Sequence, residues 1–219
     1  GDPAREVHTV LVALDFDSYT LHEAKTCGAE LVVTHHPVIM QPLRHITSPL
    51  LLEAIEGRIG VYAAHTNLDA AKNGVNAALA RAVGLQQAEQ IVLDGFPTYG
   101  GQVPRCTLQQ LLRQVKDGLG VEALRYVGRP DAEAERVCVL GGSGGDFIPA
   151  AAAAGFDVFI TADIKYHQAQ TAEELGLCVI DGGHFETERP VLQVLADQIR
   201  QDGTEVLISG RTTSYIKYE

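Results

Sequence analysis

Two stretches of this chain repeat one another position for position: Gly28-Ala29-Glu30-Leu31-Val32-Val33-Thr34 and Gly155-Phe156-Asp157-Val158-Phe159-Ile160-Thr161. Each opens on a glycine of the kind that closes a helix and continues as a short apolar run of strand type. The likeness extends downstream. Val61, His65 and Asp69 in the first half correspond to Val179, His184 and Glu188 in the second. Both times an imidazole leaves a strand end and a carboxylate follows four residues later. Internal duplication is the simplest account, and it limits the chain to folds that can be built twice.

The surrounding segments alternate in type. Val7 to Asp15 reads as a buried strand, and a helix over about 19–27 is capped by Asp17 or Ser18. The repeated run to Thr34 is the next strand. A helix over 48–56, a strand over 59–64 and a helix over about 73–83 complete the first half. The second half is expected to give a strand at 136–140, a helix at about 146–154, a strand through Thr161, a helix at about 165–175 and a strand at 177–181. A last helix then runs from His184 to about Gln201. Strands alternating with helices of this length indicate βαβ units. The expected fold is α/β: two similar βαβ-type lobes with mainly parallel sheets, facing a central crevice that holds metal. The lobes span residues 1–100 and 135–219. Residues 101–134, with a helix over 107–118 and a strand from Ala123 to Val127, connect them.

Chemistry concentrates at the strand ends. Glu30 to Thr34 stops abruptly at His35-His36-Pro37, and Pro37 disfavours helix at His36. Open α/β sheets bind ligands at the carboxyl ends of their strands. The bland alternative is two surface histidines in a loop. His184 and Glu188, at i and i+4 of a helix, share one face as helical metal pairs do. A helix-surface ion pair is the competing reading, and the echo at His65 and Asp69 favours metal. Imidazoles with carboxylates suit zinc, iron, manganese, cobalt or nickel better than calcium. Six candidate ligands exceed the need of one tetrahedral ion, so two divalent ions per chain use the set more naturally.

Gly141-Gly142-Ser143-Gly144-Gly145 offers either backbone N–H groups for a phosphate, with Ser143 and Gly144 at its centre, or merely a tight turn. Asp163 and His167 form another i, i+4 acid–imidazole pair, expected to support the site from behind or to cap its own helix. Lys165 faces an anionic substrate or solvent.

The formal net charge of -11 argues against non-specific attraction to nucleic acid. Cys27, Cys106, Cys138 and Cys178 form no C-x-x-C pair. Three of them, all but Cys106, lie in or beside apolar stretches, which reads as buried free thiols of a reducing cytoplasm. No apolar run has the length of a membrane span, and no signal peptide is evident. The chain opens almost directly on a strand, so an upstream segment is expected.

The ordered set THHP, HTNLDAA-x-x-GVN, GSGG, ITADIKYH and DGGH-x-x-x-E, from about Val10 to Gln201, resembles the NIF-three-like dinuclear metal family. Many of its members carry the name GTP cyclohydrolase I type 2. The resemblance implies two α/β lobes, a two-metal crevice and toroidal hexamers built from dimers. Its metal ligands fall on His35, His36, Asp69, His184 and Glu188, with His65 beside them as a ligand or a proton shuttle. Two departures bear on the substrate pocket: a leading helix with a Trp-Asp-Asn stretch is missing, and Thr212-Thr213-Ser214-Tyr215 replaces a Pro-Phe ending. The expected activity is a dinuclear-metal hydrolase acting on a nucleotide, with phosphoester hydrolysis equally open to the same ligands. The competing class is a non-enzymatic metal-binding or regulatory ring that binds a protein or nucleic-acid partner.

Overall fold

In the computed structural model, residues 1–2, 4–200 and 203–217 are described. The chain divides into two compact units, one of residues 1–68 with 192–212, the other of residues 69–191 with 213–219.

The first unit is built on a four-stranded sheet, entirely parallel, in the order β10-β1-β2-β3. Its strands are β1 (Thr9–Ala13), β2 (Leu31–Thr34), β3 (Gly60–Ala63) and β10 (Glu205–Ile208). Helices α1 (Ser18–Cys27) and α2 (Pro49–Glu56) make the two crossovers. Asp17 caps α1 by accepting from the Thr20 N–H, and Gly28, at φ 71°, ends it with its N–H on the Ala24 carbonyl. Leu11, Phe16, Leu21, Ala24, Val32 and Ala54 form one core of this unit. β10 was not evident in the sequence.

The second unit has a six-stranded sheet in the order β4-β5-β7-β8-β9-β6. After the short α3 (Thr66–Asp69) and α4 (Val75–Ala82) come β4 (Gln86–Leu93), β5 (Phe96–Thr107), α5 (Leu108–Leu119) and β6 (Arg125–Val127). β7 (Glu133–Ser143), a 3₁₀ turn at Gly145–Phe147, α6 (Ile148–Ala153), β8 (Val158–Ala162), α7 (Tyr166–Leu175) and β9 (Cys178–Asp181) follow. Only β7-β8-β9, the expected βαβαβ run, is parallel; the pairings of β4 with β5, β5 with β7 and β6 with β9 are antiparallel. The class is therefore α/β, with a wholly parallel sheet and a mixed one. Residues 86–127 thus contribute three strands to the second sheet.

The expected helix from His184 is two helices, α8 (His184–Glu188) and α9 (Val191–Ile199). Pro190 explains the break, since it lacks the N–H a continuous helix needs. Gln201 lies outside the described residues. All four cysteines are free; Cys138 and Cys178 are buried, and burial pushes both thiols up, whereas Cys27 and Cys106 are partly exposed. No helix among the described residues is long and apolar enough to cross a membrane.

Candidate metal centre

In the first unit, the ladder between β1 and β2 continues past the last paired residues. His35 N–H donates to the Ala13 carbonyl at 3.2 Å and His36 N–H to the Leu14 carbonyl at 2.8 Å. The main chain at both histidines is therefore pinned to the end of β1, just beyond β2. His35 is fully buried and His36 half-buried. The chain leaves β3 in the same way, with Ala64 N–H on the Thr34 carbonyl at 2.8 Å, and this brings up His65. The ring centroids lie 4.8 Å apart for His35 and His36, 5.4 Å for His35 and His65, and 5.8 Å for His36 and His65. Each ring offers one nitrogen within 4.8 Å of the others.

The tautomers follow from the neighbours. His35 Nδ1 lies 2.8 Å from the Ala64 carbonyl, which only accepts, so Nδ1 carries the hydrogen and Nε2 the lone pair. His36 Nδ1 lies 2.9 Å from Oδ1 of Asp15, with the same result. Metal-binding histidines are held in this way, by a carbonyl or carboxylate on the other ring nitrogen.

In the second unit, β9 ends at Asp181 and the chain turns through Gly182 and Gly183, the latter at φ 84°, into α8. His184 opens that helix and Glu188 closes it. His184 Nε2 lies 3.1 Å from Glu188 Oε1, and His184 Nδ1 lies 2.7 Å from Asp163 Oδ2. The hydrogen bond to Glu188 pushes His184 up to about 9 against the opposing effect of burial, and the Glu188 charge and the bond to Asp163 add to it. A site that holds a proton this firmly between carboxylates is one a divalent cation would contest. Glu188 is buried at 3% exposure. It is accommodated by Gly142, at φ 68°, where a Cβ would collide with Glu188 Oε1. Asp69 is the last residue of α3, and its carbonyl accepts from the Asn76 side-chain amide at 3.0 Å.

The structure thus groups His35, His36 and His65 in one unit and His184, Glu188 and Asp163 in the other. His167 stands apart from Asp163: α7 begins only at Tyr166, and the exposed His167 ring meets Tyr166 edge-on at 5.5 Å. The glycine run is also differently employed. Gly141 N–H donates to Asn76 Oδ1 at 2.9 Å and Gly142 N–H to Thr187 Oγ1 at 3.1 Å. Ser143 is exposed, and a Cβ at Gly144 would strike Thr161. These glycines serve close packing, with two of their N–H groups already engaged. Lys165 precedes α7, its N–H on Gln168 Oε1 at 2.9 Å. Asp15 was read in the sequence only as a strand end; its contact with His36 depends on two strands lying side by side.

The fold is α/β in both units, and the oriented imidazoles of the first and the helical His–Glu pair of the second are groups that could hold a metal ion. The model of one family, Duf34/NIF3 (NGG1p interacting factor 3), matches residues 1–214, and the chain belongs to that family. A Clostridium perfringens protein named GTP cyclohydrolase 1 type 2 homolog is 34% identical over 214 residues, covering 92% of this chain and 81% of its own length. A Nostoc protein of the same name is 35% identical over 206 residues, covering 87% and 77%. Among solved structures, a Bacillus cereus protein related to NIF3 superposes with a TM-score of 0.90 at 25% identity, over 98% of this chain and 90% of that one.

Proposed function

We propose that this chain is a metal-dependent hydrolase that holds two divalent ions and acts on a nucleotide. The ligands are His35, His36, Asp69, His184 and Glu188. The observation that carries the reading is the pair of Nδ1 contacts, Ala64 O to His35 and Asp15 to His36, which turn the Nε2 lone pairs of adjacent imidazoles into donors. The donor set fits zinc, iron, manganese, cobalt or nickel. A bound divalent cation supplies Lewis acidity to the bond under attack and to water. His65, whose ring nitrogen comes within 4.8 Å of those offered by His35 and His36, holds the proton that hydrolysis releases. The nucleotide substrate is supported by the name GTP cyclohydrolase 1 type 2 homolog carried by the relatives. A toroid of dimers, implied by the sequence resemblance, is the assembly that goes with this reading.

The test begins with metal analysis of protein purified without added ions, where about two equivalents per chain are expected. Protein loaded with manganese, zinc or iron is then screened against GTP, other nucleotides and simple phosphoesters, beside His35→Ala and His36→Ala. Turnover lost in both variants supports the hydrolase. Absence of turnover with every metal, or turnover indifferent to His35→Ala, would sink it in favour of a metal-holding regulatory protein.

A further inference from the structure

The geometry points to Asp15 and Asp163 as positioning residues, each carboxylate fixing the tautomer and aim of one metal-binding imidazole, His36 and His184 respectively. The inference rests on the reading of those histidines as ligands. What carries it is one construction found twice. In the first unit β1 and β2 are parallel neighbours with Ala13 opposite Thr34, and Asp15 and His36 each stand two residues further on. In the second, β8 and β9 are parallel neighbours with Thr161 opposite Asp181, Asp163 standing two residues beyond and His184 three. Each time the carboxylate at one strand's end reaches Nδ1 of the imidazole at its neighbour's end, at 2.9 Å and 2.7 Å.

Neither aspartate has a structural duty that explains it better. The cap of α1 is Asp17, not Asp15. α7 starts at Tyr166 with Lys165 as its cap, so Asp163 caps nothing. Among the described residues, His36 and His184 are the polar partners of these two carboxylates. Asp163 also holds a left-handed backbone at φ 56°, a conformation that costs free energy in any residue but glycine and that is kept where placement matters. A carboxylate on Nδ1–H fixes the ring and makes the opposite nitrogen a better donor.

The probe is Co²⁺ alone, titrated into the metal-free chain of residues 1–219, read by its visible absorption and by competition with a chelator. Asp15→Ala and Asp163→Gly, the glycine chosen because it accepts the positive φ, are expected to weaken cobalt binding about 10–100-fold. Asp15→Asn and Asp163→Asn keep an oxygen that accepts from Nδ1–H and are expected to restore part of that loss. Melting temperatures of the metal-free Asn variants should stay within about 3 °C of the parent. A parent chain that takes up cobalt, beside Ala, Gly and Asn variants that bind it equally well, overturns the positioning role and leaves the metal reading standing. A parent chain that takes up no cobalt overturns both. Binding lost equally in the Asn variants, together with a matching fall in metal-free melting temperature, makes the two residues structural and overturns the inference.

Discussion

Single glycines decide how a buried carboxylate fits beside an imidazole. Gly142 and Gly176 have nearly the same left-handed backbone, at φ 68° and 71°, but a Cβ at Gly176 meets nothing within 4 Å, while one at Gly142 strikes Glu188. Alanine in that conformation costs about 1–2 kcal/mol at either place. Gly142→Ala is expected to lose more than Gly176→Ala in urea unfolding, and to weaken cobalt binding as Glu188 is displaced. Equal losses, with cobalt binding intact, would mean that Glu188 moves aside freely. The sequence left this glycine run open between a phosphate cradle and a tight turn because its reason is long-range. Glycine is visible at position 142, but the side chain that requires it comes from α8. The same limit applies to Asp15, whose partner stands on the next strand. His35 and His36 were legible because both the apolar run and Pro37 are local.

Elements with strong periodicity and caps were read closely, and those set by turn chemistry less so. The helix expected over 107–118 is α5, Leu108–Leu119, with Leu108, Leu111, Leu112, Val115 and Leu119 buried along one face. Its start is a capping box. Thr107 Oγ1 accepts from Gln110 N–H at 3.3 Å, and Gln110 Oε1 accepts from Thr107 N–H at 2.8 Å. Thr107→Ala is therefore expected to cost about 1 kcal/mol in chemical unfolding, with Thr107→Ser close to the parent. A serine variant as unstable as the alanine one would show that the hydroxyl is not the stabilising group. By contrast, no hairpin was expected at β4–β5, although Asp94 and Gly95 carry its signal. Both have positive φ, 46° and 80°, as a two-residue turn between twisted strands requires. That dipeptide was hidden among neighbouring glycines and prolines.

At the scale of the whole chain, the first unit is closed by residues that come last. β10 pairs with β1, Val206 lying opposite Val10, and α9 contributes the buried Leu195 and Ala196. No local pattern announces a strand partner so distant in sequence, so the repeat along the chain was legible while this closure was not. The second unit is nearly continuous: all six strands of its sheet, and two apolar clusters among the described residues, fall within residues 69–191. Loop-closure entropy therefore weighs most on the first unit, which must bring its ends together across the whole of the second. A fragment of residues 69–191 is expected to unfold cooperatively in urea with native-like circular dichroism, because its sheet and cores are complete. A fragment of residues 1–68 is expected to show no cooperative transition, since β1 has lost its neighbour β10 and the unit has lost the buried residues of α9. Adding a peptide of residues 192–212 should restore a transition to the short fragment. A cooperative transition in residues 1–68 alone, or none in residues 69–191, would place the stabilising contacts elsewhere than in these two sheets.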